Sequence, residues 1–345
     1  MKHTHNTLKI VSALFLIMAL LLVLPACART QSVETPPAET PSTETPQAET
    51  PVEGELAIYH AGSLSVPFED VTAEFNKIYP DVTVLRDSGG SSGEIRKITE
   101  LGKIADILAS ADYELIPKMM YPDYADSYVI FAYNRMVLCY TDQSQYADEI
   151  NSDNWYEILA RDGVVYGHSD PDQDPCGYRT LMVWQLAEKH YGVSGLYNSL
   201  DIDDIHKNVT RPKSVDLIAL LQSGDMDYAF EYLSVAKQHE LNFVELPREI
   251  DLSDRDFKDF YANATVEVAG SEPDTTQTLT AAPIVYGLTI PTNAARPDLA
   301  AKFIAFLISE DGNAIMERNF QVPMVPALAS DLSLLPEEVA ALCTE

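Results

Sequence analysis

The densest chemistry in the chain lies in Ser169-Asp170-Pro171-Asp172-Gln173-Asp174-Pro175-Cys176-Gly177-Tyr178-Arg179. Three aspartates alternate with prolines and a glutamine, and the apolar spacing that follows (Leu181, Trp184, Leu186, Ala187, Tyr191) is helical. An aspartate caps a helix N-terminus well, but one is enough. A calcium loop is one use for the others, since Asp170, Asp172 and Asp174 are spaced as its opening positions. It fails at Pro175, where such a loop needs glycine, and at Leu181, where it needs glutamate.

Two further groups could act with that loop. Glu231 closes an alternating run, Asp227-Tyr228-Ala229-Phe230-Glu231-Tyr232, that reads as a strand before the helical Ser234–His239. That puts a carboxylate and the Tyr232 phenol at a strand's C-terminal end. Gly62-Ser63-Leu64-Ser65 and Asp87-Ser88-Gly89-Gly90-Ser91-Ser92-Gly93 are small-residue turns between a strand end and a helix start. Free backbone N–H groups at such turns attract anions without a cationic side chain. Ser63 and Ser91 add hydroxyls. Ser91-x-x-Glu94 equally fits a capping box, and Ser63 can be read as a plain cap. The seven histidines (3, 5, 60, 168, 190, 206, 239) form no HExxH pair, which leaves an exported metal-dependent hydrolase without its usual ligands; His168 reads as structural.

The elements that must hold these groups repeat as strand, turn and helix. Leu56–Ala61 is a buried strand, followed by a helix with Phe68, Val71, Phe75 and Ile78 on one face and Pro80 beyond it. Val82–Leu85 and Ala105–Ser110 are further strands, with the helical Glu94, Ile95, Ile98 and Leu101 between them. Val164–Gly167 leads into the acidic loop. Ser214 could cap a helix carrying Leu217, Ile218, Leu220 and Leu221. This order predicts α/β lobes with doubly wound parallel sheets, whose ligands lie at the carboxyl ends of the strands. The apolar runs 128–140 and 284–290 are expected to be two crossover strands. They divide the body into one lobe of residues 55–139 and 287–345 and a second of residues 140–286.

Lys2 and Lys9 precede an uncharged apolar run, Ile10–Leu24. It is shorter than the ~20 residues of a membrane span and matches a signal-peptide core. Leu24-Pro25-Ala26-Cys27 then resembles a bacterial lipoprotein cleavage box, so residues 1–27 are expected to be removed up to a lipidated Cys27. Residues 28–54 carry Glu-Thr-Pro four times at a five-residue period. Such a stretch has no aromatic residue with which to build a core and is expected to be an extended spacer. Cys139, Cys176 and Cys343 remain; their pairing is not readable and their spacing suits no metal. A net charge of −30 excludes nucleic acid as a partner.

Ala61-Gly62-Ser63-Leu64, Gly89-Gly90-Ser91-Ser92, Ala105-Asp106-Ile107-Leu108-Ala109-Ser110-Ala111-Asp112, Asp174-Pro175-Cys176-Gly177-Tyr178-Arg179 and Phe230-Glu231-Tyr232-Leu233-Ser234-Val235-Ala236 together resemble the tungstate/molybdate-binding proteins of ABC importers. The likeness is to the WtpA-type branch of the ModA/WtpA family and covers residues 55–326. It implies a type II periplasmic-binding-protein fold with an oxyanion in the interlobe cleft, no catalysis and no cofactor. By motif, the oxyanion donors would be Gly62, Ser63, Ser91, the Cys176 and Val215 amides, and Tyr232. The branch also carries two carboxylates that bind the metal directly. Here they would be Glu231 and one loop aspartate, Asp174 by its place in the motif, with Asp170 as the fallback. The implied partners are the oxyanion and permease subunits, with the membrane reached through the lipid anchor alone and the protein a monomer. The same machinery could instead hold sulfate, phosphate or ferric iron.

Overall fold

The structure is a computed structural model that describes residues 52–345 apart from 203, 205, 272 and 273. The expected signal peptide, Cys27 and nearly all of the expected spacer lie outside the described residues.

The first half of the chain builds a sheet from β1 (Gly54–Ala61), β2 (Val82–Gly89), β3 (Ile107–Ser110) and β4 (Val129–Tyr133). The chain then enters a second sheet of β5 (Met136–Tyr140), β6 (Tyr166–Ser169), β7 (Asn208–Arg211), β8 (Tyr228–Tyr232) and β9 (Asn242–Glu245). A hairpin, β10 (Thr265–Ala269) and β11 (Thr276–Thr280), leads back to β12 (Val285–Thr289), β13 (Val322–Ala329) and β14 (Cys343–Thr344). Strand order is β14-β13-β4-β12-β3-β1-β2 in the seven-stranded sheet and β7-β6-β8-β5-β9 in the five-stranded one. Each sheet is the centre of one lobe.

Parallel pairing holds where strand and helix alternate, at β1–β2, β1–β3, β6–β7 and β6–β8. The strands beside the crossings are antiparallel: β12 to β3 and β4, and β5 to β8 and β9. The sheets are therefore mixed rather than wholly parallel, because a strand arriving from the other lobe enters its sheet in the opposite direction. The apolar run 128–140 is two strands, not one. It changes sheet at Asn134-Arg135, where the Asn134 side chain accepts from the Arg135 amide at 3.0 Å.

The cores follow the sequence pattern. Helix Ser65–Ile78 buries Phe68, Val71 and Phe75, with Phe75 stacked edge-on against Phe303 at 5.2 Å. Ile78, expected on that face, is 55% exposed at the helix end. In the second lobe Trp184, from helix Pro175–Tyr191, packs on Phe230 and Tyr166. His168 sits edge-on against the same indole and its Nδ1 lies 2.7 Å from the Ser169 carbonyl, a structural setting. Cys139, Cys176 and Cys343 are unpaired thiols.

Candidate functional site

On the wall belonging to the seven-stranded sheet, β1 runs into a single 3-10 turn, Gly62–Leu64, that buries Ser63. The Ser63 hydroxyl lies 2.8 Å from the Tyr286 hydroxyl. Asn134 donates to Tyr286 at 3.2 Å and to Ser234 at 2.8 Å, so a chain of hydroxyls runs behind Ser63 along the hinge. β2 extends to Gly89, further than its apolar residues suggested, and helix Ser91–Thr99 starts at once with Gly90 as the N-cap. No capping box forms. Ser91, fully buried, accepts from the Ala111 amide at 3.0 Å, and Glu94 instead pairs with Lys97 at 2.9 Å. Gly89-Gly90-Ser91-Ser92-Gly93 also has the Gly-x-Ser-x-Gly spacing of a nucleophile elbow. No histidine is hydrogen-bonded to Ser91 among the described residues, so the arrangement lacks the base an elbow needs.

On the opposite wall the three aspartates separate. Asp170 accepts from the Asp172 amide at 3.0 Å and the Gln173 side chain at 2.6 Å. Asp172 is exposed and accepts from the Ala269 amide of β10 at 2.7 Å. Both brace the loop. Only Asp174 is buried. It is the N-cap of Pro175–Tyr191, with proline in the first turn as sterics favour. Its Oδ1 accepts from the Cys176 amide at 3.1 Å, and its Oδ2 accepts from the Ser214 amide at 2.8 Å. The Cys176 amide, expected to face an anion, is thus taken by this carboxylate. Val215 sits in the 3-10 turn Ser214–Asp216, whose leading amides have no acceptor within the turn.

Glu231, on β8, is fully buried. Its Oε2 accepts from the Tyr232 amide at 3.1 Å, while Oε1 has no hydrogen-bond partner among the described residues. Burial, then the charge of Asp174, push its carboxyl up to about 8 against the weaker pull of the Tyr232 amide and the Ser214 side chain. Burial likewise raises Asp174, to about 6, against the Cys176 and Ser214 amides and the charge of Arg179. Tyr232 is buried, and its hydroxyl accepts from Arg179 at 2.8 Å.

The two walls touch. A side chain on Gly62 would come within 3.2 Å of Val215 Cγ2, and one on Gly90 would overlap the Gln173 carbonyl. The Gly93 amide donates to that carbonyl at 3.2 Å. Lys213 donates to the Ser88 carbonyl at 3.0 Å and Arg96 to the Asp172 carbonyl at 2.6 Å. The two walls are thus in contact, and Ser63, Ser91, Tyr232, Asp174 and Glu231 are all buried.

Residues 56–320 match the family described as bacterial extracellular solute-binding protein. The chain belongs to that family. A Petrotoga mobilis relative described as an uncharacterized solute-binding protein is 49% identical over 84% of this chain and 89% of its own. The molybdate/tungstate-binding protein WtpA of Pyrococcus abyssi is 43% identical, again over 84% of this chain and 89% of its own. Among solved structures, the periplasmic molybdate-binding protein of Azotobacter vinelandii superposes with a TM-score of 0.55 over 77% of this chain and 98% of its own, at 18% identity. It therefore speaks to fold alone, the type II periplasmic-binding-protein fold.

As a solute-binding protein, the chain is a carrier rather than an enzyme, and its place is outside the cytoplasm. No helix among the described residues is long and apolar enough to cross a membrane. For a carrier, the cleft contains more than the sequence pointed to. Tyr286, Asn134, Ser214 and Arg179 each hold one of the expected residues or its partner. Tyr286 and Asn134 were hidden inside apolar runs that read as strands. Arg179 was visible beside Asp174, but its partners are distant in sequence.

Proposed function

We propose that this solute-binding protein captures tungstate or molybdate and delivers it to the permease of an ABC importer, the oxyanion being cargo and not a cofactor. The observation that carries this reading is the fully buried Glu231, one of whose oxygens has no hydrogen-bond partner among the described residues, with a second buried carboxyl, Asp174, acting on it electrostatically. The negative charge that the carboxyl pair retains would repel a sulfate, and close like charges cost several kcal/mol at low effective dielectric. Tungsten(VI) and molybdenum(VI) accept oxygen ligands beyond their four oxo groups. Glu231 Oε1 and an Asp174 oxygen can then bond the metal and complete six-coordination, an option that sulfate and phosphate lack. Gly62, Ser63, Ser91, Val215 and Tyr232 would serve the oxo groups, while the Cys176 amide acts through Asp174. The two WtpA-named relatives, 43% and 40% identical, support the choice of ligand.

The remaining parts fit one device. The first lobe takes residues up to Asn134 and from Val285 onward and the second takes the chain between, since β5 belongs to the five-stranded sheet and β12 to the seven-stranded one. The lipid on Cys27 and the Glu-Thr-Pro spacer hold a monomeric body near the permease. Calorimetric titration with tungstate, molybdate and sulfate tests the ligand, and sulfate binding as tightly as tungstate overturns it. X-ray absorption of the bound metal tests the coordination, which fails if only four oxygen neighbours are found.

A further inference from the structure

Asp112 lies just past β3, in the lobe of the seven-stranded sheet, and Arg179 lies on the helix behind the acidic loop, in the other lobe. Their side chains meet across the cleft, with Arg179 Nη2 3.3 Å from Asp112 Oδ2 and side-chain exposures of 4% and 17%. Tyr178 donates its hydroxyl to the same carboxylate oxygen at 2.6 Å. Arg179 Nη1 donates to the Ala111 carbonyl at 2.8 Å and to the Tyr232 hydroxyl at 2.8 Å. Ala111 in turn gives its amide to Ser91. Ser91 on one wall and Tyr232 on the other are therefore joined through two residues, Ala111 and Arg179.

A buried guanidinium is tolerated only while it is paired and hydrogen-bonded. Of the partners of Arg179, Asp112 and the Ala111 carbonyl belong to the first lobe and are lost when the lobes part; Tyr232 travels with Arg179. Lys213 and Arg96 also reach across, each to a backbone carbonyl. We propose that the Asp112–Arg179 pair is a closure clasp: it positions Tyr232 and Ser91 in the closed state and sets how long the bound anion is held. The proposal rests on the reading of the cleft as an oxyanion site.

The test uses Asp112→Asn, which keeps an acceptor for Tyr178, and Arg179→Lys, which keeps the charge and loses the fork. Wild type and both variants are titrated with tungstate, molybdate, sulfate and phosphate, with stopped-flow release rates and melting temperatures of the ligand-free proteins. The expected result is release faster by roughly tenfold or more in Asp112→Asn, the scale of losing a charged hydrogen bond, and a smaller increase in Arg179→Lys. The order of preference among anions stays unchanged. Unaltered release with a lowered ligand-free melting temperature makes the pair merely structural and overturns the clasp; so does a changed anion order. Should wild type hold sulfate and not tungstate, the proposed function fails and the clasp is judged on sulfate release by the same criterion. A wild type that holds none of the four overturns both.

Discussion

The charge of Asp174 is, after burial, the main reason Glu231 keeps its proton. The two carboxyls are not equivalent. Asp174 has each oxygen satisfied by a backbone amide and is pushed up only to about 6, whereas Glu231 has one amide and one bare oxygen and reaches about 8. Both carboxyls are raised, Glu231 the further, so at neutral pH the pair carries less than two negative charges. An arriving dianion meets less repulsion than two ionised carboxylates would present.

A proton must therefore leave when a metal bonds Glu231. Titrating tungstate at pH 7 in two non-coordinating buffers of different ionisation enthalpy should show release approaching one proton per anion. Release should fall as the pH passes 8 and should be nearly absent in Glu231→Gln. Zero release in the wild type would mean that Glu231 stays protonated and donates to an oxo group, which removes direct metal coordination by this residue.

The same raised carboxyl predicts how ligand-free stability depends on pH. Between roughly pH 4.5, the unfolded value, and about 8, native Glu231 holds a proton that the unfolded chain has released. The unfolded state then binds fewer protons, so stability falls as pH rises. The contribution is complete below pH ~4.5 and gone once the pH passes about 8. His60 and His168 act in the opposite sense, since burial lowers both and stability rises with pH through their unfolded range. Glu231→Gln removes the contribution of this carboxyl and leaves both histidines in place. Urea melts from pH 5 to 8.5 should show wild type losing a few kcal/mol relative to the variant. A difference that stays constant with pH would mean that folded Glu231 is already ionised.

Asp174 has a structural duty that Glu231 lacks. Asp174→Ala strips the N-cap from helix Pro175–Tyr191 and leaves the Cys176 and buried Ser214 amides without acceptors. Losing a cap costs about 1 kcal/mol, and an unsatisfied buried donor adds about 1–3. Asp174→Asn keeps one acceptor for the cap but sets its amide nitrogen against the other donor, so it should lose less than alanine without matching wild type. Urea melts of the ligand-free proteins decide, and equal stability of the Ala and Asn variants would show that the cap carries nothing.

Much of this was legible in the residues because local chemistry set it. Pro175 after Asp174 marks a helix start, and the Gly-Ser turns after β1 and β2 mark the strand ends that line the cleft. The alternation 228–232 placed Glu231 on a strand. What escaped depends on residues far apart in the chain. Asn134-Arg135 is a polar pair inside the otherwise apolar run 128–140, and the sheet changes at that pair. The hairpin β10–β11 has polar, largely exposed residues outside Val266, Val268 and Leu279, and its link to the acidic loop runs through Asp172 and the Ala269 amide. The partners of Arg179 come from just past β3 and from β8, 68 and 53 residues away. Ser91 bonds Ala111 rather than closing a capping box, because the strand end beside it supplies an unpaired amide.

Gly90 separates closure from folding. Its backbone is ordinary extended chain, φ −69° and ψ 137°, so alanine is tolerated conformationally and the first lobe has no reason to weaken. The obstacle lies on the other wall, where an added methyl would overlap the Gln173 carbonyl and crowd Asp174. Because that atom is backbone, held by the Gly93 amide and by the bracing of Asp170 and Asp172, it cannot swing aside as a side chain would. Gly90→Ala should melt within a degree or two of wild type when ligand-free, yet bind tungstate at least about tenfold more weakly, a cost of ~1.4 kcal/mol. Small-angle scattering of the tungstate-saturated variant should report a larger radius of gyration than the saturated wild type. Unchanged affinity and an unchanged radius would mean that the walls need not meet at Gly90 for the anion to be held.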